Sequence, residues 1–342
     1  RADYFAKLLR AARAGGLLSG TDTSFDAFLN STAAAGLSPS ERDAARRMAQ
    51  GFDAADTRRA SARAILAEWS GDTLGSTPQS RPAGGYASLL AALSPALRSA
   101  HLQLQSTVRS VRWSRGAVEV AGESAAGAFR ARAARAVITL PVGVLQQRPG
   151  AQGTVRFTPA LEAKRAALRG LASGPVVKLL LRFRTPFWEE LQGGRFRDVS
   201  FFHAGDAPLP TFWTAVPTRA PLLVAWAGGP QARRVAAGTA HARLVHSALA
   251  SLRALFGRGT DIAASLQGWY YHDWQRDPYA RGAYSYVTVG GSSARASLGQ
   301  PLAETLFFAG EATDTADEAG TVAGALQSGL RVAGEVLAGS GT

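Results

Sequence analysis

The sequence contains no cysteine among its 342 residues. Disulfide bonds, thiol catalysis and thiolate metal sites are therefore excluded for this chain. Methionine is almost as scarce, because Met48 is the only one and the chain begins at Arg1. No initiator methionine and no signal peptide are visible, so we expect the true amino terminus to lie elsewhere. The sequence leaves localisation open between cytoplasmic and exported.

Lysine is nearly absent, so the positive charge of the chain is carried by arginine. Lys7, Lys164 and Lys178 are the only lysines, the other 35 of the 38 basic residues are arginine, and the formal net charge is +13. Such a chain can bind nucleic acid, but its arginines are scattered rather than massed in one stripe. We interpret the charge as a compositional bias towards Arg, Ala and Gly, and we predict no nucleic-acid partner.

Long apolar runs are also missing. No stretch approaches the roughly 18 apolar residues of a membrane-spanning helix, and we predict no contact with a membrane. An apolar content of 46% over 342 residues suits a globular protein with a sizeable core and room for two domains.

The glycine fingerprint of dinucleotide-binding proteins, G-x-G-x-x-G, does not occur. The two G-x-G pairs, Gly257/Gly259 and Gly339/Gly341, both lack the third glycine. That motif gives a pyrophosphate close access to the backbone. The sequence therefore holds no phosphate-binding turn of this type.

The most informative stretch that is present runs from residue 305 to 337. Leu306–Ala309 is an apolar run of strand length, and Val322 opens a series of apolar residues at helical spacing. The pattern predicts a strand, a loop and a helix, with Gly320 and Thr321 at the helix start. Unpaired N–H groups at such a start suit a phosphate or a ring that becomes anionic. An ordinary strand–helix packing unit has the same spacing.

Two residues after this strand add to the pattern. Gly310 lets the chain turn sharply, and Glu311 can accept hydrogen bonds from sugar hydroxyls. Leu306-Phe-Phe-Ala-Gly-Glu311, followed by Gly320-Thr-Val-x-Gly-Ala-x-x-Ser-Gly329, resembles the carboxy-terminal signature of the flavin-dependent amine oxidases. That family includes polyamine oxidases, monoamine oxidases and lysine-specific histone demethylases. The resemblance covers most of the chain from about Arg81 onward.

The resemblance implies an α/β (α+β) fold with two domains, an amino-terminally incomplete Rossmann-like FAD domain and a substrate domain of mixed sheet and helices. We infer that the first βαβ unit of the family is cut off or lies on another chain. The expected divisions are a helical part of the substrate domain at 1–80, part of the FAD domain at 81–145, the substrate-binding domain at 146–268, and the rest of the FAD domain at 269–342. A stretch rich in Gly, Ser, Thr and Pro at Gly71–Ala83 predicts a linker.

Local patterns predict the elements of these regions. Helices are expected at Tyr4–Leu18, Phe25–Leu29, Pro39–Gly51 and Ala60–Trp69. Strands are expected at His101–Gln105, Thr107–Trp113, Ala117–Val120 and Ala136–Leu145, the last ended by Pro141 and Gly143. Thr139-Leu-Pro-Val-Gly-Val-Leu145 resembles the place where the family's chain leaves the cofactor domain. Val108 matches a position whose backbone contacts adenine in relatives, although a plain core valine fits equally well.

Lys178 lies on a strand predicted at Val176–Phe183 with period two. The residues expected on the opposite, buried face are Val177, Leu179, Leu181 and Phe183. A lysine at this place in the family, ahead of Pro186-Phe-Trp188, holds a water against flavin N5, so the resemblance implies a catalytic Lys178. A single charge beside apolar neighbours also suits a lysine with a lowered pKa. A solvated surface lysine is the alternative, which the scarcity of lysine disfavours.

An aromatic cluster follows at 269–286. Its core, Trp274-x-x-Asp-Pro-Tyr-Ala-Arg-Gly-Ala-Tyr-Ser-Tyr286, resembles the motif around the flavin in histone demethylases and polyamine oxidases. Trp274 is then expected near the isoalloxazine ring, and Tyr284 is expected to line the substrate side as a second catalytic residue. Aromatic faces suit a cationic amine, although a nucleic-acid stacking platform or core packing is also compatible. Thr321 stands where monoamine oxidases place a second tyrosine, which favours the polyamine oxidase or demethylase branch.

By position in these motifs, the residues implied to bind FAD are Val108, Leu140, Pro141, Trp274, Tyr279, Gly310, Glu311, Gly320, Thr321 and Val322. The implied reaction is oxidation of a primary or secondary amine to an imine, with O₂ reduced to hydrogen peroxide. Its partners are a small-molecule amine and O₂, and the oligomeric state is left open. Glu189, Glu190 and Asp198 are the nearest visible acids that could attract a cation, although solvated surface is the role that we favour for them. A non-catalytic fragment or scaffold of the fold, and an L-amino acid oxidase, remain as alternatives.

Overall fold

The computed structural model describes residues 2–17, 20–70, 82, 85–236, 241–257 and 261–339. The linker predicted at Gly71–Ala83 lies outside these residues apart from Pro82. The helices are α1 (Ala2–Ala14), α2 (Phe25–Leu29), α3 (Pro39–Gly51), α4 (Ala62–Ser70), α5 (Ala87–Leu93), α6 (Val142–Leu145), α7 (Arg165–Arg169), α8 (Gly229–Ala236), α9 (His241–Phe256), α10 (Ile262–Ser265), α11 (Ala294–Gly299) and α12 (Val322–Ala338). None of these described helices is long and apolar enough to cross a bilayer.

The strands form one larger antiparallel sheet and several smaller pairings. They are β1 (Thr107–Ser114), β2 (Ala117–Ser124), β3 (Gly127–Ala133), β4 (Ala136–Ile138), β5 (Arg156–Thr158), β6 (Leu171–Ser173), β7 (Val176–Phe183), β8 (Phe201–His203), β9 (Thr211–Trp213), β10 (Leu222–Gly228), β11 (Leu266–Tyr271), β12 (Ser285–Val287) and β13 (Leu306–Phe308). The sheet orders are β3-β2-β1-β5, β11-β7-β10-β9-β8, β12-β6 and β13-β4.

Helices α1 to α4 pack around a core of their own, as their apolar periodicity predicts. Phe25 and Phe5 both set their rings edge-on against Trp69, at 5.3 and 5.5 Å between centroids. Helix α3 begins at a complete capping box, because Ser38 and Glu41 each accept a hydrogen bond from the other's backbone N–H. Burial of this apolar face, rather than helix propensity alone, holds the four helices together.

The sheet β11-β7-β10-β9-β8 is buried on one face only. Alternate residues of β7 enter the core that this sheet shares with α9, and these are Val177, Leu179, Leu181 and Phe183. Strand period two turns Lys178 to the opposite, open face. The sequence prediction for this strand is therefore confirmed in both its bounds and its facing.

Three sequence expectations differ from the structure. Residues 101–105 form no strand, because the alternating Leu102 and Leu104 are exposed and find no partner strand in the described chain. The strand predicted at Ala136–Leu145 stops at Ile138, and Val142 begins the short helix α6 after Pro141. The third difference is in β2, which continues past Val120 to Ser124. In α12, Leu326 and Leu330 of the apolar series at helical spacing face outward.

Small residues explain the orientation of α12. Gly324, Ser328 and Val332 are the buried positions of the helix, and Val332 packs with β13 at Phe307. The Ser328 hydroxyl accepts a hydrogen bond of 2.8 Å from the N–H of Gly310, just after the strand. Close approach through small side chains therefore sets which face of the helix is buried, and the leucines are left outside.

Candidate functional site

A cleft opens where β4 and β13 end. The two strands are parallel, so their carboxyl ends meet at one edge, where α/β proteins place ligands. The cleft holds about 300 Å³ of free space, part of it open to solvent, and its lining includes Leu140, Phe308, Gly310 and Glu311. Gly310 has a φ of 125°, and the space where a Cβ would stand is empty. A side chain is therefore disfavoured at Gly310, and a ligand can approach its backbone.

Glu311 ties the cleft to its surroundings. Its Oε1 accepts a hydrogen bond of 3.1 Å from the N–H of Ser285, and its Oε2 accepts bonds from the Ser285 hydroxyl at 2.8 Å and the Gly320 N–H at 3.0 Å. The Nη1 of Arg295 lies 3.9 Å from the same Oε2. The carboxylate thus holds the loop before α12 against β12, and its role towards sugar hydroxyls stays a prediction.

The start of α12 faces the same region. Thr321 caps the helix, because its hydroxyl accepts a 3.0 Å hydrogen bond from the N–H of Gly324 and donates to the Glu318 carbonyl at 2.6 Å. Gly320 has a φ of 76°, and a Cβ there would stand 3.4 Å from the ring of Tyr284. Val322 is exposed. The helix dipole is positive at this end, which favours negative charge beside it.

Tyr284 lies between this helix start and the helical region. Its hydroxyl donates a short hydrogen bond to the carbonyl of Phe52. Burial, and then the carboxylates of Asp53, Glu68 and Glu311, raise the pKa of Tyr284 above its usual value. The phenol is therefore neutral at physiological pH, and Tyr284 can act as a wall and hydrogen-bonding group but not as a phenolate base.

Lys178 is exposed on the open face of the sheet. Trp226 of β10 is its direct cross-strand partner. The indole N–H of Trp226 donates a 2.7 Å hydrogen bond to the carbonyl of Gly51, next to the Phe52 carbonyl that Tyr284 binds. Residues 51–52 therefore accept hydrogen bonds from Tyr284 and from the cross-strand neighbour of Lys178, and the proximity of Lys178 to Tyr284 stays a prediction.

The other predicted residues spread around this centre. Trp274 is half exposed and stacks edge-on against His272, with ring centroids 4.4 Å apart. The hydroxyl of Tyr279 lies 3.4 Å from that of Thr107 on β1, beside the partly buried Val108. Pro141 is exposed at the start of α6. These residues lie on the β1, β4 and β13 side of the molecule, and their contacts to a cofactor remain predictions.

The acids nominated from the sequence lie elsewhere. Glu189 and Asp198 follow the far end of β7, and both form ion pairs with Arg219 on the exposed surface. The carboxylates beside the predicted centre are instead Asp53 and Glu68, which sequence reasoning missed. Spacing gives no signal for them, because 15 residues and the turn before α4 separate the two.

Burial changes the protonation of Asp53 and Glu68. Burial, and then the charge of Glu68, raise the pKa of Asp53 well above its usual value, and burial also raises the pKa of Glu68. Burial lowers the pKa of Arg295, against the attraction of Glu311. The Arg295 guanidinium is itself held by the hydroxyl and the carbonyl of Ser285, at 2.8 and 3.1 Å.

The residues present fit one part of a dinucleotide. The cleft at Leu140 and Gly310, the open backbone of Gly310 and the capped start of α12 suit a flat ring whose edge becomes negative. The sequence has no glycine-rich turn for a pyrophosphate. The described fold therefore offers a ring site, while its phosphate site is incomplete.

A family comparison matches this architecture. The model for flavin-containing amine oxidoreductases matches residues 16–337, nearly the whole chain. The chain belongs to the flavin-containing amine oxidoreductase family. Membership confirms the family predicted from the sequence and its cofactor, FAD, while the place of FAD in the cleft stays a prediction.

Curated proteins similar to this chain include histone demethylases. It is 32% identical over 235 residues to lysine-specific histone demethylase 1 homolog 2 of Arabidopsis thaliana, which covers 68% of this chain and 30% of the relative. It is 29% identical over 289 residues to human lysine-specific histone demethylase 2, covering 80% of this chain and 31% of that protein. The chain thus spans about a third or less of these relatives' length.

Solved structures confirm the predicted fold. Wild-type putrescine oxidase bound to putrescine matches with a TM-score of 0.74 at 20% identity, over 98% of this chain and 73% of the other. A triple mutant of putrescine oxidase made to redesign cofactor binding matches with a TM-score of 0.78, also at 20% identity. The chain therefore has the two-domain amine oxidase fold.

Proposed function

We propose that the enzyme containing this chain oxidises a small primary or secondary amine to an imine, with O₂ as the final electron acceptor and hydrogen peroxide as a product. The junction at residues 51–52 carries the proposal. Its two adjacent carbonyls accept hydrogen bonds from the indole of Trp226, the cross-strand neighbour of Lys178, and from the hydroxyl of Tyr284, whose ring lies against Gly320. This arrangement supports a substrate position between the sheet and the start of α12.

When bound, FAD supplies the two-electron acceptor for this reaction. The residues of the chain provide the surroundings. Lys178, on the open face of β7, is suited to hold a water, because an ammonium donates three hydrogen bonds. Trp226 and Tyr284 offer aromatic faces that attract a cation and displace bulk water. Thr321 fixes the start of α12, whose positive end favours negative charge.

The substrate is best described as a small amine. Human lysine-specific histone demethylase 2 and its plant relatives bring a methylated lysine, a secondary or tertiary amine, into consideration. A net charge of +13 repels a long basic peptide at long range, and this repulsion is weaker for an amine of one or two charges. An L-amino acid is less favoured, since the Arg295 guanidinium beside the site is already held by Ser285.

A panel of amines tests the proposal. The flavin-loaded enzyme is mixed with spermine, spermidine, benzylamine, a peptide containing N-methyl-lysine and several L-amino acids, and peroxide release is followed. We expect turnover of one or more small amines and loss of that turnover in Tyr284→Ala. Turnover of L-amino acids alone, or of none of the panel, would overturn the proposed reaction. Amine turnover that Tyr284→Ala leaves unchanged would overturn the position of the substrate.

A further inference from the structure

Four arginines that lie apart in the sequence meet on one face of the sheet β3-β2-β1-β5. Strand register places Arg112 opposite Glu119 of β2, and Glu119 opposite Arg132, so the three side chains share a face. Arg130 precedes Arg132 by two residues, and Arg156 is paired with Ser110, two residues before Arg112. We call this surface the arginine face, and its arginines are Arg112 on β1, Arg130 and Arg132 on β3, and Arg156 on β5.

The arginine face is open, whereas the other face of the same sheet is buried. All four arginines are exposed. On the other side, Val111 and Val118 pack into a core with Leu306 and Phe308 of β13. Phe308 also lines the cleft described above. The core therefore separates the arginine face from the candidate site, and the sheet gives the arginines a rigid support.

The positive charge of this face is only partly balanced. The carboxylate of Glu119 lies 2.8 Å from Nη2 of Arg132 and 3.6 Å from Nη1 of Arg130. The hydrogen bond from Arg132 holds the pKa of Glu119 below its usual value. Within the described residues, the other two arginines of the face form no ion pair, and Glu123 at the margin is already paired with Arg109 at 3.2 Å. Four arginines around one free glutamate leave a clear excess of positive charge.

Strand β3 gives the arginine face a free edge. It stands at the end of the sheet order, and β2 is its only strand neighbour within the described residues. Its seven residues, Gly127–Ala133, are exposed along nearly the whole strand. The outer N–H and C=O groups of such an edge are available to an added strand.

The charges decide which strand can pair with this edge. Arg130 and Arg132 are about 7 Å apart along β3, the spacing of every second residue in an extended chain. A second copy of β3 would place like charges opposite each other, which is unfavourable. A strand with Asp or Glu at every second position places carboxylates opposite both arginines. Nucleic acid is less favoured, because the residues of the arginine face include no aromatic ring on which a base could stack.

We propose that the arginine face and the free edge of β3 form a docking surface for an extended acidic segment of a partner protein. The segment adds a strand beside β3 and directs alternate carboxylates to Arg130 and Arg132. The other arginines of the face contribute to the positive potential that attracts the segment. This surface lies outside the cleft, so the inference does not depend on the proposed reaction.

Fluorescence polarisation with a labelled peptide tests the surface. The flavin-loaded enzyme is titrated at low salt with a peptide of alternating glutamate and threonine, as long as β3. We expect saturable binding, which Arg130→Gln with Arg132→Gln weakens about tenfold through loss of two cross-strand charge pairs. Arg243→Gln with Arg253→Gln removes the same charge from the exposed side of α9 and is the matched control, with an unchanged Kd. Glu119→Gln is expected to tighten binding about threefold by removing a nearby negative charge, a gain that misfolding cannot produce.

Two further probes separate strand pairing from attraction by charge alone. The same peptide methylated on every backbone nitrogen keeps its carboxylates but donates no backbone hydrogen bond, so we expect it to bind more weakly. Equal binding of the methylated peptide, equal weakening by the control pair, or no saturable binding would overturn the proposal. A single-stranded oligonucleotide is titrated in parallel. If it binds more tightly than the peptide and loses affinity in the Arg130→Gln, Arg132→Gln variant, the surface binds nucleic acid and the acidic segment is the wrong partner.

Discussion

Two of the three lysines in this arginine-rich chain lie at special positions, and they differ in burial. Lys178 is exposed on the open face of β7, whereas Lys164 is 1% exposed beneath the cleft. The Nζ of Lys164 donates to the carbonyls of Ser297, at 2.9 Å, and Gln300, and it lies 4.5 Å from the centre of the Phe308 ring. The first lysine suits chemistry with a substrate, and the second joins α11 to β13.

Replacing Lys178 tests its role directly. In the flavin-loaded enzyme, Lys178→Met is expected to slow flavin reduction or reoxidation roughly 100-fold, as the loss of a positioned proton-handling group does. FAD should remain bound. Stopped-flow absorbance of the flavin measures both rates. Arg182→Met is the matched control, because Arg182 is exposed on the same face of β7, four residues after Lys178. Equal rates in Lys178→Met and in the control would show that Lys178 is a solvated surface residue with no role in the reaction.

Burial of Lys164 makes the free energy of unfolding depend on pH. Burial, and then the charge of Arg331, lower its pKa to about 8 from the usual 10.5. Below pH 8 the amine is charged in both states, and the folded protein bears the cost of burying that charge. Between pH 8 and 10.5 the folded state releases its proton first, so the free energy of unfolding gains a contribution as pH rises. Above 10.5 the cost is absent.

Comparison with Lys164→Met isolates this contribution, since other titrating groups are shared. Between pH 7 and 10, the free energy of unfolding of the wild type should rise relative to the variant by roughly 2–3 kcal/mol. Denaturant unfolding at several pH values measures the difference. Parallel pH curves would mean that the amine holds its proton equally in both states.

Residue chemistry predicted part of the site and missed the rest for a physical reason. Lys178 and Tyr284 stand out because of a rare residue type and a strong motif, and their roles stay predictions, although Tyr284 and the strand neighbour of Lys178 bind adjacent carbonyls. Asp53 and Glu68 carry no such signal, since a carboxylate in sequence gives no indication of its burial. Only the packing of α4 against the end of α3 makes them a buried pair.

At the scale of elements, hydrophobic periodicity and capping residues predicted whether a segment is a helix or a strand more reliably than they predicted which of its faces is buried. The bounds of α2, α3 and β7 follow from their patterns. Helix α12 shows where such reasoning stops, because the apolar series was real but faces outward. Its buried side is made of Gly324, Ser328 and Val332, which a search for large apolar residues passes over. The strand predicted at residues 101–105 was wrong for a similar reason, since alternation of apolar residues alone cannot supply a partner strand.

The outward leucines of α12 have a consequence in solution. Leu330 is 76% exposed and Leu337 is 73% exposed, on the same side of one helix. Contiguous exposed apolar area favours association. We expect the 342-residue chain to self-associate as its concentration rises, and Leu330→Glu with Leu337→Glu to reduce this without lowering the Tm. Light scattering after gel filtration measures the mass.

A charge control belongs with that experiment. Gln327→Glu adds one negative charge to the exposed side of α12 without removing apolar area. Self-association that persists in Gln327→Glu and disappears in the double leucine variant would assign it to the leucines. Equal effects of the variants would assign it to charge instead.

At the scale of the whole molecule, we interpret the larger sheet and helices α1 to α4 as the substrate side, and β4 and β13 with the start of α12 as part of the cofactor side. The antiparallel sheet β11-β7-β10-β9-β8 and helices α1 to α4 each enclose a buried core. The cofactor side includes β4 and β13, a parallel pair of three residues each. Parallel sheets normally have more strands and helices on both faces. The domain boundaries predicted from the sequence stay a prediction.

The small cofactor side determines how tightly the 342-residue chain by itself should bind FAD. The cleft at Gly310 and the start of α12 offer a site for the ring, but the sequence has no G-x-G-x-x-G turn, whose backbone holds the pyrophosphate in dinucleotide-binding folds. We therefore expect weak binding, with a Kd above roughly 10 µM, equivalent to less than about 7 kcal/mol. Flavin fluorescence on titration with the purified chain measures the affinity, and the flavin-loaded enzyme, which should keep its FAD through gel filtration, is the reference. Stoichiometric FAD retained by the 342-residue chain would show that the ring site and the start of α12 suffice without a glycine-rich turn.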